Sequence, residues 1–539
     1  MVICFSATTQ SALDIIPKPV LVKEQIGKPF LLNSNSILYF QKQYSITAHY
    51  FRQELLKQTG VKNLKSFAVE ENDLKQLGIH IAFDTNMQQH PEMYQLIISE
   101  KNLIINAYDD RGAVNAIQSL LQLIPIKKIN QVSINPVFIE DYPRFLYRGM
   151  HLDVVRHIFP VSYIKKYIDY LAFHKFNTFH WHLTDDQGWR IEMNQYKKLN
   201  TIGSWRNETL IGHFKDSPAR YDGTSYGGYY TKAQIKDVVE YAAERAVTVI
   251  PEIDIPGHSR AVIAAYPELS TKPDTTWNVA TTWGMYNRQN NVLAPKPATF
   301  RFLETVFGEL LELFPSKYIH IGGDECSKIW WKQDTATQQF MKEHFIKNET
   351  ALQTYFIEFI ATYLKSKGRQ AIGWHEINEG ELDTSTIVMN WGGDKQAIEA
   401  ATKGFNVIMT PGKPYYFDHY QSADPKDSLA IHGYNPTEAV YMYNLVPSTI
   451  AAKGLSDKII GGQANVWTEY MSNEKKVDYM IFPRMTALSE SLWTLPEKKS
   501  YSDFLRRLEK TAIPRYQFWE SRWFKNYKDW NLQSTTINR

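Results

Sequence analysis

The chain has 539 residues and a formal net charge of only +3, with 43% hydrophobic and 22% charged residues. That length allows two or three domains with a large core, and the balance is that of an ordinary globular protein. There is no long basic stripe, which argues against nucleic acid or an anionic membrane as partner, and no run of about 18 apolar residues that would cross a membrane as a helix.

The first residues, MVICFSATTQSALDII (1–16), combine a short apolar stretch with small residues near Ser11–Ala12. They read as the end of an export signal lacking a basic start, or else as a disordered stretch, and the export reading implies a periplasmic or secreted protein. Residues 17–142 read as a small α+β domain. EMYQLIISEKNLIINA (92–107) has the alternation of two strands joined by a polar turn, and DDRGAVNAIQSLLQLI (109–124) follows with an Asp at a helix start. A boundary falls near 140–149, where Pro143 breaks the pattern.

From 143 to 539 short apolar strands alternate with helical stretches. Strands are expected at 148–156, 177–186, 247–258, 317–325, 370–376, 386–391, 406–411 and 459–467. Helices are expected near 161–174, 232–245, 298–313 and 350–366, with one closing helix over 475–493. Eight strands in this order predict a (β/α)8 barrel, and a barrel places its chemistry at the carboxyl ends of the strands. Those ends carry Arg156, Asp185, Asp186, Asp254, His258, Asp324, Glu325, Trp374, Trp391, Trp467 and Glu469, with PYYFDHY (414–420) after the seventh strand. Carboxylates, an arginine, a histidine and tryptophans at one mouth suit a sugar-cleaving pocket, because acids act on the glycosidic bond and aromatic faces cover the C–H side of the ring.

KYIHIGGDECSK (317–328) is the most informative stretch. Adjacent carboxylates repel, and along a strand their side chains would diverge. Both serve one site only where the chain leaves the strand, which Gly322 and Gly323 permit. In HWHLTDDQGWR (180–190) His180 and His182 alternate to one face, so either a metal site or a structural pair fits. Asp254 and His258, close in PEIDIPGH (251–258), suit a histidine held by a carboxylate beside an acid. The two cysteines, Cys4 and Cys326, allow neither a disulfide framework nor a Cys-rich metal site, and no Cys/His signature marks Cys326 as a nucleophile.

LDVVRHIF, WHLTDDQGWR, PEIDIPGH, HIGGDE, GWHE and QANVWTEY occur in the order found in glycoside hydrolase family 20, the β-N-acetylhexosaminidases, which the chain resembles over nearly its whole length. The resemblance implies an exo-acting enzyme that releases terminal GlcNAc or GalNAc from a glycan with retention. It implies no cofactor and no metal, with the substrate's own acetamido oxygen as nucleophile. Glu325 then matches the general acid, its proton favoured by repulsion from Asp324, and Asp324 matches the residue that orients the acetamido N–H. Asp185 and His258 resemble the support of the acid, with Asp254 nearby. Arg156, Asp418 and Glu469 match groups that bind sugar hydroxyls, Tyr416 matches the residue that bonds the acetamido oxygen, and Trp374, Trp391 and Trp467 match the pocket walls. The segments 195–230 and 266–297 border the part of the substrate beyond the first sugar. Two other readings are a metal-dependent barrel hydrolase using His180 and His182, and a sugar-binding protein without activity.

Overall fold

The structure, a computed structural model, describes residues 13–528 apart from 71–76, 85–86, 88–89, 284–289, 381 and 425. The leader reading therefore lies, for residues 1–12, outside the described residues. Residues 13–16, placed in that stretch by the sequence, are packed instead. Ile15 and Ile16 are buried in two different cores, and Gln122 brackets Ile16 by bonding both its N–H, at 2.8 Å, and its carbonyl, at 2.7 Å.

The N-terminal unit is a seven-stranded mixed sheet. From edge to edge its strands are Leu21–Glu24, Val137–Asp141, Tyr94–Ile98, Asn102–Ala107, Gly78–Phe83, Ile37–Gln41 and Lys65–Val69. Alternate residues of Tyr94–Ile98 and Asn102–Ala107 are buried, and the two strands pair as a hairpin with Tyr94 opposite Ala107. Helices Ser45–Thr59 and Asp110–Leu123 pack against the sheet and each other. Asp109 starts the second by accepting the Gly112 N–H at 2.7 Å.

The barrel strands are β1 (Tyr147–Asp153), β2 (Thr178–His182), β3 (Thr248–Glu252), β4 (Tyr318–His320), β5 (Gln370–Trp374), β6 (Ile387–Asn390), β7 (Val407–Met409) and β8 (Ile459–Ala464). They form a closed parallel barrel, with β8 returning to β1 through Tyr147 opposite Gly461. Every residue of β1, β2, β6 and β7 is buried, as expected where helices cover a parallel sheet. The expected helices appear at Val161–Phe173, Lys232–Ala243, Pro297–Leu311 and Glu349–Ser366.

The closing helix is two helices, Glu474–Ile481 and Arg484–Trp493, because Pro483 lacks the N–H that a continuous helix needs. The break puts Arg484 inside the protein. Its guanidinium donates to the carbonyls of Phe417 (2.6 Å), His419 (3.0 Å), Asn435 (3.1 Å) and Met480 (2.6 Å). One buried cation thereby fixes the excursion that follows β7.

The two units meet at the amino-terminal end of the barrel through buried charge. Glu92 pairs with Arg148 and accepts from Asn177 Nδ2 at 2.8 Å. Lys175 and Asp141, both fully buried, are 2.8 Å apart, and Asp141 also accepts from Trp493 Nε1 at 2.9 Å. Removing one partner of such a pair strands the other charge, at a cost of about 3–5 kcal/mol. Asp141→Ala is thus expected to lower the free energy of unfolding by that order, read from urea unfolding, while leaving KM unchanged. The variant Asp141→Asn/Lys175→Met, which leaves no charge behind, is expected to recover a large part of the loss.

Candidate active site

β4 ends at His320, and the next residues answer why two carboxylates follow two glycines. Gly322 has φ +65° and Gly323 φ +95°, and a Cβ on Gly322 would lie 1.7 Å from Asp254 Oδ1. Only glycine fits there. The Gly323 N–H donates to the same Asp254 oxygen at 3.1 Å. Glu325 itself has φ +42° and His258 φ +46°, a backbone region that side chains rarely occupy and that recurs at functional sites. The turn brings both carboxylates to one cavity of about 400 Å³.

Their surroundings differ. The Asp324 side chain is 14% exposed and that of Glu325 36%. Burial, with the Glu325 charge added, pushes Asp324 up to about 6 against the pull of His258.

A line of groups runs into the pair from behind. Asp185 Oδ1 lies 2.9 Å from His258 Nδ1, and His258 Nε2 lies 3.5 Å from Glu325 Oε2 and 3.8 Å from Asp324 Oδ2. Arg156 Nη2 holds Asp185 Oδ2 at 2.7 Å. Burial disfavours charge on all three groups, but their mutual attraction outweighs it. Arg156 and His258 keep Asp185 well below the usual carboxylate range, while Asp185 keeps Arg156 and His258 well above theirs. Asp254, beside Asp324, is pushed well up by burial and by the Asp324 charge.

At the other end Asp418 and Glu469 face each other. Burial raises both, and for Asp418 the Glu469 charge adds to it. Asp418 Oδ1, Glu469 Oε2 and Asp324 Oδ1 are buried yet accept nothing from the described residues of the protein. Buried acceptors need donors, and sugar hydroxyls and an amide N–H are donors of the right kind. The excursions after β2, β7 and β8 meet at this end: His213 Nε2 contacts Ile431 O at 2.7 Å, and the Phe214 N–H donates to Tyr470 Oη at 3.1 Å, so the segment 195–230, expected to border the part of the substrate beyond the first sugar, instead reaches the Asp418 and Glu469 end.

Trp391, Tyr416 and Trp467 form an aromatic wall, with ring centroids 6.4 and 6.5 Å apart in sequence around it. The neighbour Tyr415 is fully buried and does not line the cavity, which resolves which tyrosine of the pair faces it. Trp374 departs from the expectation. It is fully buried, does not line the cavity, and supports the wall from beneath, 5.9 Å from the Trp467 ring with its Nε1–H donated to Glu252 at 2.8 Å. All the other expected residues line the cavity.

His180 and His182 do share a face, but that face is the sealed barrel interior. Both are fully buried, and both pair with Glu252 beneath the cavity. A catalytic metal keeps a position open to substrate, which these ligands do not offer. Burial pushes the Cys326 thiol up to about 12, so it is inert as a nucleophile.

Sequence reasoning missed several groups. Gln187 accepts from Arg156 Nε at 2.9 Å, and Asp153 accepts from Arg156 Nη1 at 3.4 Å and from the Thr468 N–H at 3.0 Å. Asp153 at i−3 from Arg156, at a strand end, was a signal available in the sequence. Glu376, pushed well up by burial and the Asp324 charge, accepts from Trp391 Nε1 at 3.2 Å. Phe214, Trp283 and His432 complete the rim.

Comparison with known proteins agrees with this geometry. Residues 145–496 match the model of the glycosyl hydrolase family 20 catalytic domain, and residues 12–142 match that family's domain 2. The chain is similar to a beta-hexosaminidase of Porphyromonas gingivalis, 42% identical over 445 residues, which cover 81% of this chain and 55% of that one. A beta-hexosaminidase of Vibrio furnissii is 36% identical, over 90% of this chain and 77% of its own. Among solved structures, a GH20 exo beta-N-acetylglucosaminidase of Vibrio harveyi in complex with N-acetylglucosamine superposes with a TM-score of 0.84 at 29% identity, covering 97% of this chain and 80% of that one. A mutant Streptomyces plicatus beta-hexosaminidase in complex with product GlcNAc gives 0.80 at 27%, covering 97% and 98%. The closed barrel, the adjacent carboxylates at the end of β4 and both domain matches lead to one conclusion: the chain belongs to glycosyl hydrolase family 20.

Proposed function

We propose that this protein is an exo-acting β-N-acetylhexosaminidase that removes terminal, non-reducing β-linked GlcNAc or GalNAc with retention. The observation that carries the reading is the unlike pair at the end of β4. Asp324 is nearly enclosed and has an unpaired oxygen, while Glu325 stands at the open side against His258. The sugar enters with its 4- and 6-hydroxyls toward Asp418 and Glu469, at the end covered by Phe214 and Ile431. The aglycone then leaves past Glu325.

In the first step Glu325 gives its proton to the glycosidic oxygen. The substrate's acetamido oxygen attacks the anomeric carbon as that bond breaks, and an oxazolinium ion forms. Asp324 accepts the acetamido N–H and faces the positive charge that develops there, while Tyr416 bonds the acetamido oxygen. In the second step Glu325, now a base, takes a proton from water, whose oxygen opens the ring and restores the acetamido group. The two carboxyls divide the work, one facing the developing charge and one giving the proton, which is why they stand together. Binding of N-acetylglucosamine by the Vibrio harveyi and Streptomyces plicatus relatives supports the substrate class. Because such glycans lie outside the cytoplasm, the proposal extends to a periplasmic or secreted enzyme. Cell fractionation with sequencing of the mature N-terminus tests that extension, and finding the intact Met1 on cytosolic protein would contradict it.

Glu325→Gln is expected to lose about 10²–10⁴-fold on a disaccharide, whose leaving group needs a proton, and much less on a nitrophenyl glycoside. Equal losses on both would show that Glu325 is not the acid. For the nucleophile, kcat should fall steadily from acetamido through mono-, di- and trifluoroacetamido substrates as the attacking oxygen loses basicity. Asp324→Asn should cost about 10²–10³-fold even on aryl glycosides. A flat series, or a sugar trapped covalently on a carboxylate, would overturn the mechanism. The pH dependence has a definite sign. Asp324 works ionised and its carboxyl is pushed up to about 6, so kcat/KM should fall as pH drops through about 6. The acid limb of kcat should lie lower, because the bound N–H favours the ionised form. Parallel pH–rate profiles of the two parameters check this.

A further inference from the structure

Glu252, the last residue of β3, is a fully buried carboxylate that touches no part of the cavity. Four side-chain nitrogens crowd around it. Trp374 Nε1 and His320 Nδ1 lie 2.8 and 2.9 Å from Oε1, and His182 Nδ1 and His180 Nε2 lie 2.5 and 3.1 Å from Oε2. The other ring nitrogen of His182, Nε2, lies 3.1 Å from Asp185 Oδ2. Both nitrogens of His182 therefore face carboxylate oxygens. A neutral imidazole donates from only one nitrogen, so only the imidazolium satisfies both.

The groups around His182 fit that charge. Glu252 reaches it from β3, Asp185 from the loop after its own strand, and Arg156 shares Asp185 from the loop after β1. His151 from β1 lies at 5.6 Å ring to ring, His180 shares Glu252 Oε2 with His182, and His320 lies against Oε1. Burial opposes a charge on His182, but Glu252 and Asp185 outweigh it and raise His182 to about 10. Burial pushes His180 down to about 4 and His151 well below its ordinary range.

We propose that Glu252 and His182 are positioning residues of the catalytic pair, forming with Asp185 and His258 one line, Glu252–His182–Asp185–His258–Glu325, from the barrel interior to the acid. Glu252 holds the His182 proton and His182 fixes one oxygen of Asp185. The other oxygen holds His258 Nδ1–H, which leaves His258 Nε2 aimed at Glu325 and Asp324. The line also explains Trp374, whose indole is tied to the same carboxylate below the wall it supports. The inference rests on the roles proposed above for Asp324 and Glu325.

The test is Glu252→Gln, which keeps the volume and places an amide N–H₂ against His182. His182 then becomes neutral with its proton on Nε2, still donating to Asp185, so packing is kept and the charge is lost. The expected result is a fall in kcat of about 10- to 100-fold, the range for a group that orients the residues in contact with substrate. KM should stay within about threefold, and the loss should be larger on a disaccharide than on a nitrophenyl glycoside. His182→Gln should behave alike. The second measurement needs no variant to be active. In ¹⁵N-histidine-labelled wild-type enzyme, the ring signals that vanish in His182→Gln should show both nitrogens protonated from pH 6 to 8.5. A neutral His182 in the wild type overturns the proposal, as does a folded Glu252→Gln with kcat within twofold of wild type. A flat fluoroacetamido series would instead remove the catalytic reading while leaving the nitrogen signals as they are, so the two failures are distinguishable.

Discussion

The site depends on one buried carboxylate, Asp185. Arg156, His182 and His258 all reach it, at 2.7, 3.1 and 2.9 Å, from the loop after β1, from β2 and from the loop after β3. A charge in the interior is tolerated only when it is paired and hydrogen-bonded, and here each partner needs the others for that reason. The three elements cannot move independently without leaving a charge unpaired. The arrangement therefore fixes the directions of the arginine and the histidine that line the cavity.

The catalytic pair is the opposite case, since its groups are only partly compensated. Asp254 Oδ1 occupies the space where Gly322 would carry a Cβ, and both glycines have positive φ. Glu325 and His258 take the same unusual backbone region without being glycine. Strain of this kind persists only where surrounding structure over-determines it. Here the Gly323–Asp254 bond and the ion pairs of His258 supply that constraint. Buried oxygens of Asp324, Asp418 and Glu469 are left facing the cavity with no donor from the described residues.

Stability is concentrated at the other end of the barrel. Lys175–Asp141 and Arg148–Glu92 are sealed between the two units, and Trp493 and Asn177 donate to the same carboxylates. With the amino-terminal face locked by saturated ion pairs, the carboxyl-terminal face can carry unsatisfied groups, which is the usual division of labour in this barrel.

The strands and most helices of the barrel were legible because local patterns produce them: short β-favouring apolar runs, each followed by an amphipathic stretch of helical length. Their order alone places the mouth residues, so Arg156, Asp185, Asp254, Asp324, Glu325 and Glu469 were readable as a set. The packing of Ile15 and Ile16, the burial of Arg484 behind Pro483 and the place of Trp374 beneath the wall were not. Each depends on partners more than 50 residues away, as with Gln122, Phe417 and Glu252. The same holds for His182. Its alternation with His180 shows that both face one side, but whether that side holds a metal, a solvent-filled mouth or a carboxylate depends on β3 and β4. By itself the sequence determined the barrel and the carboxylates at its mouth, since strand order and residue type are local properties. Which tryptophan lies beneath the wall, which histidines meet a buried carboxylate and how far burial raises Asp324 were decided by the tertiary structure, because burial and charge pairing exist only once distant strands close on one another.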